Sequence, residues 1–457
     1  MEYLDANALK AQEHFDKILM LAQNNESKEI NWMEKAIFEE LLKLGQTCLK
    51  MHIDNANRQD FGNHIKVTDG TGKLTHQGRR KTTILSIFGE IEFDRDYYQN
   101  PGQQGVFPLD KKLNLPSRKF TYLLEKFCMM GAIKDSYEEA RDYIRNIFGL
   151  DLPVSSMQKI AGKSSKYFED YYNEKAFEAP QKDDLLVVSL DGKGIPIRKE
   201  GKTEKKKRKG RGEKDGRKQM ALVGTVYTVK PIVSKGKREF KPENKGVWAC
   251  LEEKLRILDL MQENVKSRLK SCKTTVQLFI ADGGRELWNY CKEHFPNAVE
   301  ILDWYHMTEY LWKAVYVFFA EGSKDAVQWI EEMENKMREG KVSDVIKGIR
   351  VRITKNKIKG NKLKILNSVL TYFENNKSRM KYDEYLQNGY PIGSGNVEAA
   401  CKHLVKDRME KTGMRWKLPG AQSILSLRAI HINDNLEDYW KYYMGKENNH
   451  LYARMVA

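Results

Sequence analysis

Five apolar runs decide the fold of this chain, and the first of them is DLLVVSLDG at 184–192. The other four are QMALVGTVYTV (219–229), GVWACL (246–251), TVQLFIADGG (275–284) and AVEILDWYH (298–306). Short apolar runs bounded by polar or turn-forming residues are typical of buried β-strands. Helical patterns fill 252–270 and follow each of the last two runs. The sequence therefore predicts an α/β core.

The order of these elements, three strands and then alternating helices and strands, matches the RNase H-like topology. Polar helical sequence without a strand signal interrupts this core, which predicts an all-α insertion. The region before the core is predicted to be α+β. We expect six segments: an N-terminal helical region (1–78), a β-hairpin and loop module (79–117), a helical, helix-turn-helix-like DNA-binding region (118–180), the first part of an RNase H-like catalytic core (181–320), the helical insertion (321–388), and the last part of the core with C-terminal helices (389–457).

The composition points to a polyanionic partner. The 457 residues carry a net charge of +16 with a pI near 9.2, and nucleic acid is the commonest such partner, with an anionic membrane surface as the rival. No apolar run approaches the roughly 20 residues that span a bilayer. The N-terminal residues MEYLDANALK lack a basic stretch followed by an apolar one, so no signal peptide is expected. The six cysteines have no CxxC spacing, which disfavours a disulfide framework or a zinc site and fits a reducing cytoplasm.

The region before the core combines helices with one hairpin. Residues 1 to about 55 predict two helices, either a small helical pack or a dimerisation element. Between Arg79 and Tyr98 the apolar period changes to two around Gly89, which predicts a β-hairpin.

A helix-turn-helix-like pattern follows. Ser136 and Glu139 have the spacing of a capping box, and Gly149 is a typical helix stop. A second capping box is predicted at 155–158, opening a helix that carries three lysines on one face: Lys159, Lys163 and Lys166. This helix is either a DNA recognition helix or one arm of an ordinary helical hairpin with solvated lysines.

A strongly basic, glycine-punctuated loop at 201–218 separates the first two predicted strands. Its composition predicts a solvated loop or a contact with DNA phosphates, and the neighbouring acidic residues favour the phosphate contact. Its central cations are Lys205, Lys206, Lys207, Arg208 and Lys209.

Three carboxylates are the candidate catalytic residues. Asp191 and Asp282 each end a predicted strand and precede glycine, although strand-end aspartates also commonly cap turns. Glu398 follows the glycine-rich loop of GYPIGSGNVEAACK and lies in the first turn of a predicted helix with Asn396 as N-cap. Oxygen ligands suit Mg²⁺ or Mn²⁺, and two such ions clamp both oxygens of a phosphodiester displacement. We therefore expect two divalent ions at these residues.

Asp303 and His306 form a second cluster, three residues apart at the end of the fifth strand. A metal ligand, a substrate contact and a satisfied structural pair are all open, and a role behind the metal ligands or in positioning DNA is favoured.

The helix that follows Glu398 is expected to join catalysis to DNA binding. Lys402 and Lys406 lie one and two turns beyond Glu398 on the same face. Three further residues extend the expected DNA track: Arg408, Arg415 and Trp416. The alternatives are a plain surface helix in which a lysine pairs with Glu398, and a core position for the tryptophan.

Four stretches carry a family resemblance: SLDGKGIPIR, GRKQMALVGTVYTV, LDWYHMTEYLWKA and GYPIGSGNVEAACKHLVKDRMEKTGMRW. They resemble the ISKra-type insertion-sequence transposases over about 184–446. More distantly they are similar to the Mutator-like group, whose Asp/Cys-x-x-His signature corresponds to Asp303 and His306. The resemblance implies a DDE transposase with Asp191, Asp282 and Glu398 as its triad. Relatives often carry Cys-x-x-Cys where Asn100 and Gln103 stand here, so no zinc is expected.

The expected function is that of a transposase which binds the ends of its element, cleaves DNA and transfers strands with metal ions. The alternatives are an RNase H-like nuclease without strand transfer and an inactive, transposase-derived DNA-binding protein. The expected partner is double-stranded DNA, both element ends and target, and not a membrane. A homodimer or higher oligomer is expected on DNA, in the cytoplasm at the nucleoid.

Overall fold

The computed structural model describes residues 6–23, 29–68, 72–198, 218–233, 239–270, 272, 275–411 and 413–455. The basic loop at 205–209 lies outside these residues. The chain forms two compact units: Met1–Tyr167 together with Leu436–Ala457, and Phe168–Asn435. None of the described helices is long and apolar enough to cross a membrane.

The first unit combines helices with a three-stranded antiparallel sheet of order β1-β2-β3. Its elements are α1 (Ala6–Gln23), α2 (Ile30–Asn57), β1 (His64–Lys66), β2 (Lys73–Ser86), β3 (Gly89–Tyr98), α3 (Pro108–Lys112), α4 (Tyr122–Lys134), α5 (Tyr137–Phe148), α6 (Val154–Ser164) and the C-terminal helix (Leu436–Leu451). The hairpin predicted around Gly89 is confirmed, but its first strand begins at Lys73 rather than at 79. The last helix, one of the predicted C-terminal helices, belongs to this unit.

Half of the first capping box predicted for this unit is present, because the Ser136 amide donates to the Asp135 carboxylate at 2.8 Å and not to the Glu139 side chain. The Oγ of Ser136 accepts a hydrogen bond from the Glu139 amide at 3.0 Å, and Gly149 ends α5 with a φ of +69°. The second box is wrong: α6 begins at Val154 without a side-chain cap. Pro153 holds the extended backbone before the helix, and its carbonyl accepts from the Ser156 amide at 2.8 Å.

The second unit is a mixed α/β unit built on one five-stranded sheet of order β6-β5-β4-β7-β8. Its first part comprises α7 (Phe168–Glu174), β4 (Leu185–Pro196), β5 (Lys218–Val229), β6 (Glu243–Cys250), α8 (Lys254–Leu269), β7 (Val276–Ala281), α9 (Arg285–His294), β8 (Val299–Leu302) and α10 (Trp304–Phe318). The pairs β4–β5 and β5–β6 are antiparallel, whereas β4–β7 and β7–β8 are parallel. All five predicted strands are present.

The fifth strand is shorter than its apolar run. It ends at Leu302 because the side chain of Asp303 accepts a hydrogen bond from the His306 amide and caps α10. The apolar residues that follow are therefore helical, and the run at 298–306 covers a strand end and a helix start. Periodicity over so short a window does not separate these two states.

The rest of this unit is helical. Its elements are α11 (Lys324–Arg338), α12 (Val342–Lys355), α13 (Gly360–Asn376), a 3-10 helix (Lys377–Arg379), α14 (Tyr382–Gln387), α15 (Gly395–Ala400), a π-helical segment (Cys401–Lys406), α16 (Asp407–Met409) and α17 (Leu418–Ile432). Residues 321–388 contain no strand, and all of them are described, so their predicted helical character is confirmed.

Candidate active site

Three aspartates lie in a row at one edge of the five-stranded sheet. The registers pair Leu190 with Ala281 and Ala281 with Leu302, and each of these residues is followed by an aspartate. Neighbouring strands lie about 4.8 Å apart, so three adjacent strand ends span roughly 10 Å. The sheet therefore brings the backbones of Asp191, Asp282 and Asp303 side by side.

Asp303 is fully buried and is the acceptor for three N–H groups. Its Oδ1 accepts from the Ser394 amide at 2.6 Å. Its Oδ2 accepts from the His306 amide at 3.0 Å and from the His306 ring at Nδ1 at 2.7 Å. This one carboxylate thus connects the end of β8, the first turn of α10 and the loop before α15.

Glu398 reaches the same place through that loop. Ser394 is the N-cap residue of α15, one turn before Glu398, and its hydroxyl donates to Oε1 of Glu398 at 3.3 Å. The predicted N-cap, Asn396, instead lies inside the helix. Asp303, His306 and Glu398 offer ligand atoms that all lie within 4.8 Å of one another. Among the described residues, Asp191 and Asp282 are not in so tight a group with Glu398.

The electrostatics of the site are dominated by these carboxylates. The hydrogen bond to Asp303 raises the pKa of His306 to about 9, against the effect of burial, and the charges of Asp282 and Asp191 add to it. Burial raises the pKa of Glu398, and the charges of Asp303 and Asp191 raise it further. All four carboxylates therefore act on one another or on His306, and the site has an excess of negative charge.

Asp191 has a partner that the sequence did not suggest. Its Oδ1 accepts from the Gly192 amide at 2.6 Å, and its Oδ2 accepts from the buried thiol of Cys401 at 3.2 Å. Cys401 lies three residues after Glu398, a spacing that puts both on one side of a helix. That spacing was the available signal.

Asp282 is contacted by helix α13. Its Oδ1 accepts from the Gly284 amide at 2.8 Å, and its carbonyl accepts from the Tyr372 hydroxyl of α13 at 2.8 Å. Gly283 has a φ of +87°, and a Cβ there would lie 2.8 Å from the Tyr372 ring, so glycine is required for this approach. Tyr372 lies 90 residues from Asp282 along the chain, so no local sequence pattern predicts this contact.

A family model matches residues 24–442, which is most of the chain and includes all of these site residues. The chain belongs to the uncharacterised protein family UPF0236. No curated protein matches it.

Four of the predicted DNA-binding residues of this UPF0236 chain are exposed: Lys159, Lys402, Lys406 and Arg415. None of the ion pairs within the described ranges joins Lys402 or Lys406 to Glu398, so the simple surface pair that the sequence left open is absent. The basic residues at 205–209 lie outside the described part of the chain.

The other three predicted DNA-binding residues are partly or fully buried instead: Lys163, Arg408 and Trp416. Lys163 is mostly buried and pairs with Glu447 at 3.1 Å, and that carboxylate also pairs with Lys166 at 3.5 Å. Arg408 is fully buried, with its guanidinium 4.8 Å from the ring centroid of Trp416.

Trp416 is the core anchor that the sequence offered as the alternative. It is 7% exposed, and its Nε1 donates to the Met409 carbonyl at 3.1 Å. The helix after Glu398 was predicted as one continuous α-helix, and this is wrong for 401–406, which is π-helical. A π turn holds more residues than an α turn, so positions beyond it rotate relative to an uninterrupted helix.

Proposed function

We propose that the chain is a DNA transposase that binds the ends of its element and catalyses metal-dependent strand cleavage and strand transfer. The observation that carries the proposal is the row of aspartates at three level, adjacent strand ends, with Glu398 brought to it by the Asp303–Ser394 hydrogen bond. Phosphodiester chemistry by divalent ions needs such a convergence of carboxylates and no nucleophilic side chain.

The sheet supports an RNase H-like core. Three antiparallel strands followed by two parallel ones, in the order β6-β5-β4-β7-β8, agree with the topology that the sequence pattern suggested. The helices from α11 to α14 stand between the strand that ends at Leu302 and the helix that carries Glu398, which supports an all-α insertion in that core.

The donor set fits Mg²⁺ or Mn²⁺. Asp191, Asp282 and Glu398 offer only carboxylate oxygens, the ligands these ions prefer. The charge of Asp191 raises the pKa of Glu398, and a cation would relieve this repulsion. In our proposal these three residues hold two ions and no zinc. When bound, the ions stabilise the charge on the attacking and leaving oxygens of an in-line displacement.

Asp303 and His306 are positioning residues in this proposal. Both oxygens of Asp303 already accept N–H bonds, so it is better suited to fix its neighbours than to bind an ion. Because His306 donates from Nδ1 to Asp303 and its pKa is raised to about 9, it carries a positive charge at neutral pH in the ion-free site. That charge suits an approaching phosphate.

The proposed partner is double-stranded DNA, both element ends and target, and the net charge of +16 supports it. Pairing two ends requires at least a dimer on DNA, and we place the protein at the nucleoid in the cytoplasm.

An integration assay tests the proposal. Purified protein is mixed with a labelled duplex from the DNA that flanks its own gene, a supercoiled plasmid target, and Mg²⁺ or Mn²⁺. Joined products that vanish with EDTA are the expected result. Cleavage without joining would favour a nuclease, and binding without either would favour an inactive DNA-binding protein.

A further inference from the structure

The turn between α12 and α13 carries the densest run of positive charge in the described part of the second unit. Between Asp344 and Glu374 the sequence has no acidic residue. It has eight basic ones: Lys347, Arg350, Arg352, Lys355, Lys357, Lys359, Lys362 and Lys364. A cluster of one sign on a short segment repels itself unless an oppositely charged partner is present.

Most of these cations have no ion-pair partner among the described residues. Arg350 pairs with Glu374, and Arg352 lies 5.4 Å from the ring centroid of Phe319. Five lysines at the turn are exposed and make no ion pair with any described residue: Lys355, Lys357, Lys359, Lys362 and Lys364. We call these five the α12–α13 tip.

The neighbouring helix treats its charges differently. On α11, Lys336 pairs with Glu332 at 2.6 Å and Arg338 with Glu334 at 3.3 Å. Within the described part of the chain, the same helical segment therefore pairs its cations on α11 and leaves them without ion pairs at the tip. If these lysines served only to solvate the helix surface, there would be no reason for the tip to differ from α11 in this way.

The tip is held in a defined shape. Lys357 has a φ of +48° just after α12, and the Ile358 amide donates to the Ile353 carbonyl at 3.1 Å. This is the helix-ending motif in which glycine is the usual residue, because a side chain is strained there. Buried apolar residues of both helices, including Ile349 and Leu366, fix the two arms.

We propose that the α12–α13 tip binds backbone phosphates of duplex DNA beside the catalytic edge, an inference that rests on the proposed function. Helix α13 runs without a break from Gly360 at the tip to Tyr372, whose hydroxyl contacts the Asp282 carbonyl. Twelve residues of α-helix span roughly 18 Å. At a rise of about 3.4 Å per base pair, this is on the order of five base pairs. The tip therefore contacts DNA at most about five base pairs from the point of cleavage, the offset that an α13 lying along the duplex axis would give.

Duplex DNA fits the tip better than an anionic lipid surface. The large exposed apolar residues of α12 and α13, as far as the chain is described, are Val351 and Ile365, and neither is aromatic. Surfaces that insert into lipid combine lysines with Trp, Phe and Leu. Lysines alone suit phosphate contact through counterion release.

Salt-dependent binding tests the inference without any catalytic step. The variant K355Q/K359Q/K362Q is compared with wild type on an unrelated duplex in EDTA, between about 50 and 200 mM salt. Each lost phosphate contact reduces the magnitude of the slope of log K against log salt by about 0.9. The three substitutions are therefore expected to reduce it by up to about 2.7. The control is K266Q/K336Q/K381Q, which removes three cations that already pair with Glu263, Glu332 and Glu384. Its slope should stay near that of wild type.

The outcomes separate this inference from the proposed function. An unchanged slope in the tip variant, or an equal change in the control, overturns the tip as a DNA site even if cleavage and joining persist. Loss of binding to phosphatidylserine vesicles with DNA binding intact overturns it in favour of a lipid surface. A wild-type protein that binds no duplex at all overturns the proposed function together with the inference. In a footprint, the tip variant should lose protection within about five base pairs of the cleaved bond.

Discussion

The backbone amide of Ser394 donates a hydrogen bond of 2.6 Å to Oδ1 of the buried Asp303, 91 residues earlier in the chain. This contact fixes the loop that delivers Glu398 to the sheet edge, because Ser394 is also the N-cap residue of α15 and contacts the Glu398 carboxylate. The position of the candidate catalytic glutamate in α15 thus depends on Asp303, which follows β8 and caps α10.

Asp303→Asn should lower the free energy of unfolding by about 2–3 kcal/mol, because an amide group replaces one acceptor and leaves a buried donor facing it. Urea denaturation measures the loss. Asp407→Asn is the matched control, since Asp407 pairs with His403 at 3.0 Å on the exposed surface. That change should stay within about 0.5 kcal/mol. Equal losses in the two variants would mean that Asp303 does not organise the site.

Each of Asp191→Asn, Asp282→Asn and Glu398→Gln should reduce DNA cleavage by more than about a hundredfold, since several kcal/mol of charge stabilisation are lost. Binding to duplex DNA should remain near the wild-type level, because no basic residue changes. Cleavage and gel-shift assays on the same preparations give both numbers. A variant that cleaves at the wild-type rate would remove its residue from the triad.

Cys401→Ala should weaken divalent-ion binding about tenfold, the usual cost of losing a hydrogen bond that orients a metal ligand. The thiol donates to Asp191, so Cys401→Ser should keep most of the affinity through its hydroxyl. Calorimetric titration with Mn²⁺ in the absence of DNA is the measurement. Cys291→Ala is the control, since Cys291 is also buried in the second unit but its thiol donates to the Phe295 carbonyl rather than to a candidate metal ligand. Serine and alanine variants with equal affinity would argue against the hydrogen bond.

Trp416→Ala should destabilise the fold by about 3–5 kcal/mol, as expected for a buried aromatic side chain. Lys402→Ala and Lys406→Ala should leave stability unchanged and weaken DNA binding, because both are exposed in the helix that begins beside the site. Thermal denaturation and salt-dependent binding separate the two kinds of effect. Unaltered DNA affinity in both lysine variants would restrict the role of this helix to carrying Glu398.

The first unit should lose stability as the pH rises. Burial raises the pKa of Glu125 from 4.5 to about 7, with Lys163 and Arg118 opposing the shift. The folded state therefore holds a proton that the unfolded state releases, and the free energy of unfolding falls between pH 4.5 and about 7. The full loss, on the order of 3 kcal/mol, persists above that range.

Glu125→Gln should remove this pH dependence and make the protein more stable than wild type at alkaline pH. Urea denaturation at several pH values measures it, and Glu13→Gln, at an exposed position of α1, is the control that should change nothing. A variant that keeps the wild-type pH profile would assign the titration to another group.

The sequence by itself determined the α/β core, the order of its strands and the ends at which carboxylates stand. Apolar runs such as 184–192 identify buried strands because continuous hydrophobicity is what a strand covered on both faces requires. Ser136 and Gly149 likewise predicted the two ends of α5. At the start, free amides need an acceptor such as the serine hydroxyl, and at the end, glycine readily adopts the left-handed conformation.

Only the tertiary structure decided which side chains meet. Lys163 lies at helical spacing from the exposed Lys159, and Arg408 was expected to extend the DNA track, yet Lys163 pairs with Glu447 in the first unit and Arg408 lies against Trp416. Tyr372 and Ser394 join the site from positions about 90 residues from their partners. A local pattern gives the period of a helix or strand, but the burial of a charge depends on a partner that folding brings from far along the chain. The segment 401–406 after Glu398 is π-helical and therefore has more residues per turn than an α-helix. Residues beyond it do not lie on the helix faces that regular α-helical spacing predicts.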